Sequence, residues 1–154
     1  MISLEHIHPI LVHFPIVLFL LAVLINFLVL VRKDDLAATS CLSTTGFYTL
    51  LLAAVAAIAA AVFGDIALDK AVELGFDKAS LEEHEELGLA TLWIMLGLAS
   101  WQLLARWRHM HLSGIRGWLF FAVALAGSGV LLTAAYHGGK LVYGLGVNVS
   151  PVHL

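Results

Sequence analysis

His8-Pro9-Ile10-Leu11-Val12-His13-Phe14-Pro15-Ile16 places two histidines and two prolines at the mouth of a long apolar run that continues to Val31. Pro9 suits the first turn of a helix, where its fixed φ is already helical and its missing N–H has no partner to lose. That puts His8 at the cap, with His13 about 6 Å further along the axis at ~1.5 Å per residue. Pro15 falls inside the helix and deprives the Leu11 carbonyl of its usual donor, so the backbone is expected to bend beside His13 and leave an oxygen in need of a partner.

The apolar run is one of four. The chain has 154 residues, 61% hydrophobic and 12% charged, with a mean hydropathy of +0.97, whereas a soluble domain is about 25% charged. Crossing ~30 Å of hydrocarbon takes ~20 apolar residues. Spans are expected at about residues 10–31, 42–63, 87–105 and 117–136, leaving room for little else. The reading is an all-α, four-span transmembrane helix bundle, one domain over residues 1–154, embedded in a lipid bilayer.

Short cytoplasmic loops collect Lys and Arg. Arg32 and Lys33 follow the first span and Arg106, Arg108 and Arg116 lie between the third and fourth, while Lys70, Lys78 and Lys140 fall on the other side. The expected orientation is N-out and C-out, in a bacterial inner membrane. Glu5 before the first run and Arg32-Lys33 after it do not fit a cleavable signal peptide, so the first span is expected to stay. Cys41 is the single cysteine, which excludes an intramolecular disulfide and a CxxCH attachment of haem. A net charge of −3 offers nothing to a nucleic acid. No nucleophile is paired with a base in a catalytic motif.

Between the spans, Gly64-Asp65 is expected to end the second helix, and residues 65–75 to form a short interfacial helix capped by Gly75. Ser80-Leu81-Glu82-Glu83 has the form of a capping box for the third helix. Gly138-Gly139 is expected to stop the fourth, and the alternating tail, residues 140–149, to fold back over the outer face. Trp101, Trp107 and Trp118 would form an aromatic belt, and Asn26 would bond to a neighbouring helix. His109 and His111 belong to an ordinary interfacial turn. No internal repeat stands out.

His8 and His13 enter the first helix, Asp65 leaves the second, His84 enters the third and His137 leaves the fourth. The topology brings all five to one end of the bundle, where ionisable groups that face inward mark a site. Three readings of that end differ in chemistry. A b-type haem needs axial ligands from facing helices. His13 and His137 are the first choice, His84 is the substitute, and His8 with His84 could hold a second haem. A transition-metal site for Zn, Cu or Fe would draw on His8, His13, Asp65, His84 and His137; His6 with His8 could pinch an ion on an extended approach. Alternatively the cluster binds nothing and caps a structural or assembly subunit. The redox reading implies an electron-transfer protein with a periplasmic redox partner, not a hydrolase or transferase; the third implies another membrane subunit.

The same residues carry a resemblance. His8-Pro9-x-x-Val12-His13-Phe14-Pro15-Ile16, Gly64-Asp65, His84, and Gly138-Gly139-Lys140-Leu141-Val142-Tyr143-x-x-Gly146-Val147-x-Val149 together resemble the DUF2231 family of predicted bacterial inner-membrane proteins. The resemblance covers nearly the whole chain and implies four spans; it implies no activity.

Overall fold

The computed structural model describes residues 7–147 and Val149. The chain forms α1 (Ile7–Leu11), α2 (His13–Val31), α3 (Cys41–Glu73), α4 (Lys78–Trp107) and α5 (Gly114–Leu145). Four helical units, Ile7–Val31, Cys41–Glu73, Lys78–Trp107 and Gly114–Leu145, are long and apolar enough to cross a membrane. Each packs beside its successor in the chain, and α5 closes the ring against α2. The first unit carries the mark of Pro15: Val12 keeps helical angles (φ −59°, ψ −24°), but Ile16 N–H reaches the Val12 carbonyl only at 3.4 Å. The expected bend is therefore a weak point in the hydrogen-bond ladder between α1 and α2.

Three local expectations are corrected. α3 runs unbroken through Gly64-Asp65 for 33 residues, so residues 65–73 continue the second span and are not a separate interfacial helix. It ends at Leu74, with Gly75 at φ +87°. α4 is capped by Asp77, whose carboxylate accepts from the Ser80 N–H at 3.0 Å and the Ser80 hydroxyl at 2.7 Å. The capping box is displaced because an aspartate three residues earlier does the same work for a helix that starts sooner. α5 passes through Gly138-Gly139 and ends only at Gly146, φ +73°, so residues 140–145 of the expected tail are helical. A 33-residue helix measures about 50 Å at ~1.5 Å per residue, well beyond ~30 Å of hydrocarbon. At the end where α3 finishes, α4 begins and α5 finishes, Ala71, Leu81, Leu141 and Val147 form a second apolar cluster apart from the main core.

The two halves of the chain are built on one plan. Moving 76 residues along takes buried Pro15, Phe19, Ala22, Val23, Asn26 and Val29 of α2 onto buried Thr91, Met95, Leu98, Ala99, Gln102 and Ala105 of α4. The same step carries the helix-ending turn: Arg32 N–H bonds Leu28 O and Asp34 N–H bonds Val29 O, while Arg108 bonds Leu104 O and Met110 bonds Ala105 O. Lys33 (φ +57°) and His109 (φ +53°) hold the same left-handed position. The second turn is shorter, so the step becomes 74 between α3 and α5. Ser43, Gly46, Leu50, Ala53, Ala54, Ala57, Ala60 and Ala67 then fall on Gly117, Phe120, Ala124, Gly127, Ser128, Leu131, Ala134 and Leu141, all buried. The internal repeat that does not stand out in the residues is thus present in their burial. Equivalent helices run in the same direction, so a pseudo-two-fold axis along the bundle relates the halves.

At the Arg end the two turns are knitted together. Asp35 accepts from the backbone of Ala37 (2.8 Å) and Leu112 (2.9 Å) and meets His111 Nδ1 at 2.8 Å. Partial burial pushes this carboxyl up, but the two amides and the His111 ring outweigh it and hold it below the ordinary carboxylate range. Arg106 lies over the Phe47 ring and donates to Ala38 O at 2.8 Å. Trp107 and Trp118 are exposed as a belt requires, while Trp101 turns inward against Phe120.

Candidate functional site

The repeat decides which histidines matter. His8 and His84 are 76 residues apart, and each performs the same act on an equivalent partner helix. The His8 Nδ1 lies 2.8 Å from the Ala60 carbonyl oxygen on α3; the His84 Nδ1 lies 3.1 Å from the Ala134 carbonyl oxygen on α5. A carbonyl only accepts, so both rings carry their hydrogen on Nδ1, and in the neutral ring the lone pair is on Nε2. The two rings meet edge to face, their centroids 6.2 Å apart and their planes at 76°.

Glycine makes each contact possible. In a helix the side chain of residue i+4 leans back toward the N-terminus and covers the flank beside the carbonyl of residue i. Ala60 has Gly64 at that position and Ala134 has Gly138. A Cβ on Gly64 would lie 3.0 Å from His8 Cε1, and one on Gly138 would lie 2.8 Å from His84 Cε1. Both glycines weaken their helices by roughly 1 kcal/mol relative to alanine, and both leave a carbonyl open to a ring from the side. That close approach explains why glycines that read as helix stops sit within continuous helices. The signal was present in the sequence: Ala60-Ala61-Val62-Phe63-Gly64 and Ala134-Ala135-Tyr136-His137-Gly138 share the pattern Ala-Ala-x-x-Gly.

The other candidates are placed differently. His13 is exposed, at the position equivalent to exposed Leu89, and its side chain makes no hydrogen bond or ring contact with another described residue. Asp65 is exposed on α3. His137 lies beside the pair, with its Nδ1 3.4 Å from Glu83 Oε2 and its ring against Tyr136. The Glu83 carboxylate therefore faces His137 and is not the arm of a capping box. His111 is engaged by Asp35 at the far end. Among the described residues no group of three or more His, Cys, Asp or Glu side chains is gathered closely enough to hold a bare metal ion. His6 lies outside the described residues.

What the site offers is two imidazoles of fixed tautomer in edge-to-face contact, one from each half, at one end of a four-span bundle. The DUF2231 family, described as a predicted membrane protein, matches residues 5–151. The chain belongs to that family. No curated protein and no solved structure matches this DUF2231 chain.

Proposed function

We propose that this DUF2231 protein is a b-type haem-binding electron-transfer protein of the bacterial inner membrane, with His8 and His84 as the axial ligands in place of the first-choice pair His13 and His137. The observation that supports the reading is the paired Nδ1–carbonyl bond. Ligating histidines characteristically donate their other ring nitrogen to a carbonyl or carboxylate, which sets the tautomer and the ring direction. The two ring centroids are 6.2 Å apart in an edge-to-face contact, so binding one metal from opposite sides through bonds of ~2.0–2.1 Å would require the rings to turn their Nε2 atoms toward each other. The count favours haem over a bare ion: the macrocycle brings four of six ligands, so two imidazoles suffice, whereas structural zinc takes four protein ligands.

The Lys and Arg distribution supports an N-out, C-out orientation, with the histidine end and any redox partner in the periplasm. A second reading rests on the glycine seats themselves. Each imidazole bonds and packs across a helix pair, and such contacts fasten helices in a membrane with nothing bound.

The absorption spectrum of detergent-purified protein from haem-replete cells separates the two. A Soret band that is lost or shifted in both His8→Ala and His84→Ala, and retained in His13→Ala and His109→Ala, is the expected result. Absence of a Soret band from folded wild-type protein removes the haem reading and leaves the interhelix fastening.

A further inference from the structure

The repeat is broken at one of its seams. Where α2 meets α5, Leu20, Val23, Leu24, Phe27 and Phe121 line a groove of about 340 Å³ on the outside of the bundle. The matching seam lies between α4 and α3. There the 76-residue step puts Leu96, Ala99, Ser100 and Leu103 at the four α2 positions, and the 74-residue step puts Phe47 at that of Phe121. Phe47 is buried, with Arg106 over its ring, and α3 packs on α4 more extensively than α5 does on α2. Small Ala99 and Ser100 let a neighbouring helix approach, whereas Val23 and Leu24 hold one away.

Aromatic and basic side chains mark one end of the groove. Trp118 stands edge to face against Phe27 and Phe121, with centroids 6.3 and 5.7 Å away, as a ring at the level of the lipid head groups would. Just beyond, Leu30 fills the space over Gly117, which brings Arg32 and Arg116 to the same end of this seam. Both are exposed, and neither makes an ion pair among the described residues. The nearby carboxylates are engaged elsewhere, Asp34 by Ser40 and Asp35 by Ala37, Leu112 and His111. The matching positions in the other half hold Leu42 and Arg108, the latter over Trp107.

We infer that the α2–α5 seam binds an anionic glycerophospholipid, one acyl chain lying in the groove and the phosphate held by Arg32 and Arg116. The lining side chains carry no polar atom, so the groove takes hydrocarbon. In a bilayer, hydrocarbon that ends beside two unpaired cations belongs to a lipid whose head group is negative. The guanidinium fork donates in parallel to two phosphate oxygens. A zwitterionic head group brings its own cation and gains less.

The test is native mass spectrometry of the protein in a non-ionic detergent, titrated with phosphatidylglycerol or with phosphatidylcholine of the same chains. The wild type is expected to retain phosphatidylglycerol preferentially. The double variant Arg32→Gln, Arg116→Gln is expected to bind it about 30-fold more weakly, roughly fivefold for each cation removed, while Arg108→Gln binds as wild type does. Leu24→Trp, at an exposed position, fills the groove and weakens retention of both lipids. Equal retention of the two lipids by the wild type overturns the choice of an anionic lipid. A loss in Arg108→Gln as large as in the double variant overturns the assignment to this seam, and undiminished binding by Leu24→Trp overturns the seating of the chain in the groove.

Discussion

The two halves bury largely equivalent positions and expose largely equivalent positions, yet what they expose differs. The first half turns Phe14, Val17, Leu21 and Leu24 of α2, and Tyr48, Leu52 and Val55 of α3, to the outside. At the matching positions the second half has Ala90, Trp93, Gly97 and Ser100 of α4, and Ala122, Ala126 and Gly129 of α5, also exposed. The inward faces show a tighter rule. Phe19 and Met95 are both fully buried, Asn26 and Gln102 are 1% and 0% exposed, and Ala60 matches Ala134, while at Gly46 and Phe120 or Leu50 and Ala124 a small residue in one half answers a large one in the other. Packing against a partner constrains volume and polarity at buried positions. Lipid accepts almost any apolar outline, so the outward faces are free to diverge.

Where the halves depart from each other inside, the departure should be costly to erase. Ser43 and Gly117 are equivalent and both buried, but Leu30 fills the space beside Gly117, where a Cβ would lie 2.6 Å from Leu30 Cδ2 and 2.8 Å from the Leu112 carbonyl. Gly117→Ser, which copies the first half into the second, is expected to destabilise by about 1–3 kcal/mol through overpacking; its thermal unfolding in detergent, against wild type, is the measurement. A variant as stable as wild type would mean that the two turn regions are interchangeable.

The buried amides provide a finer comparison. Gln102 donates to Leu36 O at 2.8 Å and ties α4 to the first turn; its Oε1 and Asn26 Oδ1 both lack a hydrogen-bond partner among the described residues, so the two amides differ in that one donated bond. Gln102→Leu should cost about 1 kcal/mol, the scale of side-chain hydrogen bonds between membrane helices. Asn26→Leu, which removes an unsatisfied polar atom, should be neutral or stabilising. Reversible unfolding of the two variants in one detergent decides it, and equal losses at both sites would show that the Asn26 amide is bonded as well.

The smallest effect is expected on the divergent faces. A Cβ on Gly97 or Gly129 meets nothing within 4 Å, so Gly97→Leu and Gly129→Leu should lose no stability and gain up to about 1 kcal/mol from helix propensity. A loss at either position would show that the outward face of the second half is constrained after all.

The four spans were legible because apolar runs of the right length leave few alternatives: residues 10–31 lie within Ile7–Val31, and residues 117–136 within Gly114–Leu145. The helix ends were not, because Gly64 and Gly138 act through a partner on another helix, and a glycine that admits a ring looks like one that stops a helix. At the site, the sequence ranked His13 and His137 by their depth along an axis, but depth says nothing of which way a side chain turns. Direction comes from packing, and packing sets His8 and His84 face to edge while His13 points away. The repeat stayed hidden for a related reason: Pro15 and Thr91, or Asn26 and Gln102, share a position and no letter.

The weakened ladder at Val12 makes the two imidazoles mechanically unequal. His84 belongs to a rod of 30 residues that cannot bend near its ring without breaking regular hydrogen bonds. His8 rides on a five-residue segment joined to the rest of its span through a stretch where Pro15 donates nothing and the next bond is long. Any widening of the gap between the rings therefore costs least on the α1 side. The arm is hinged and the post is fixed, so the rings part by movement of α1.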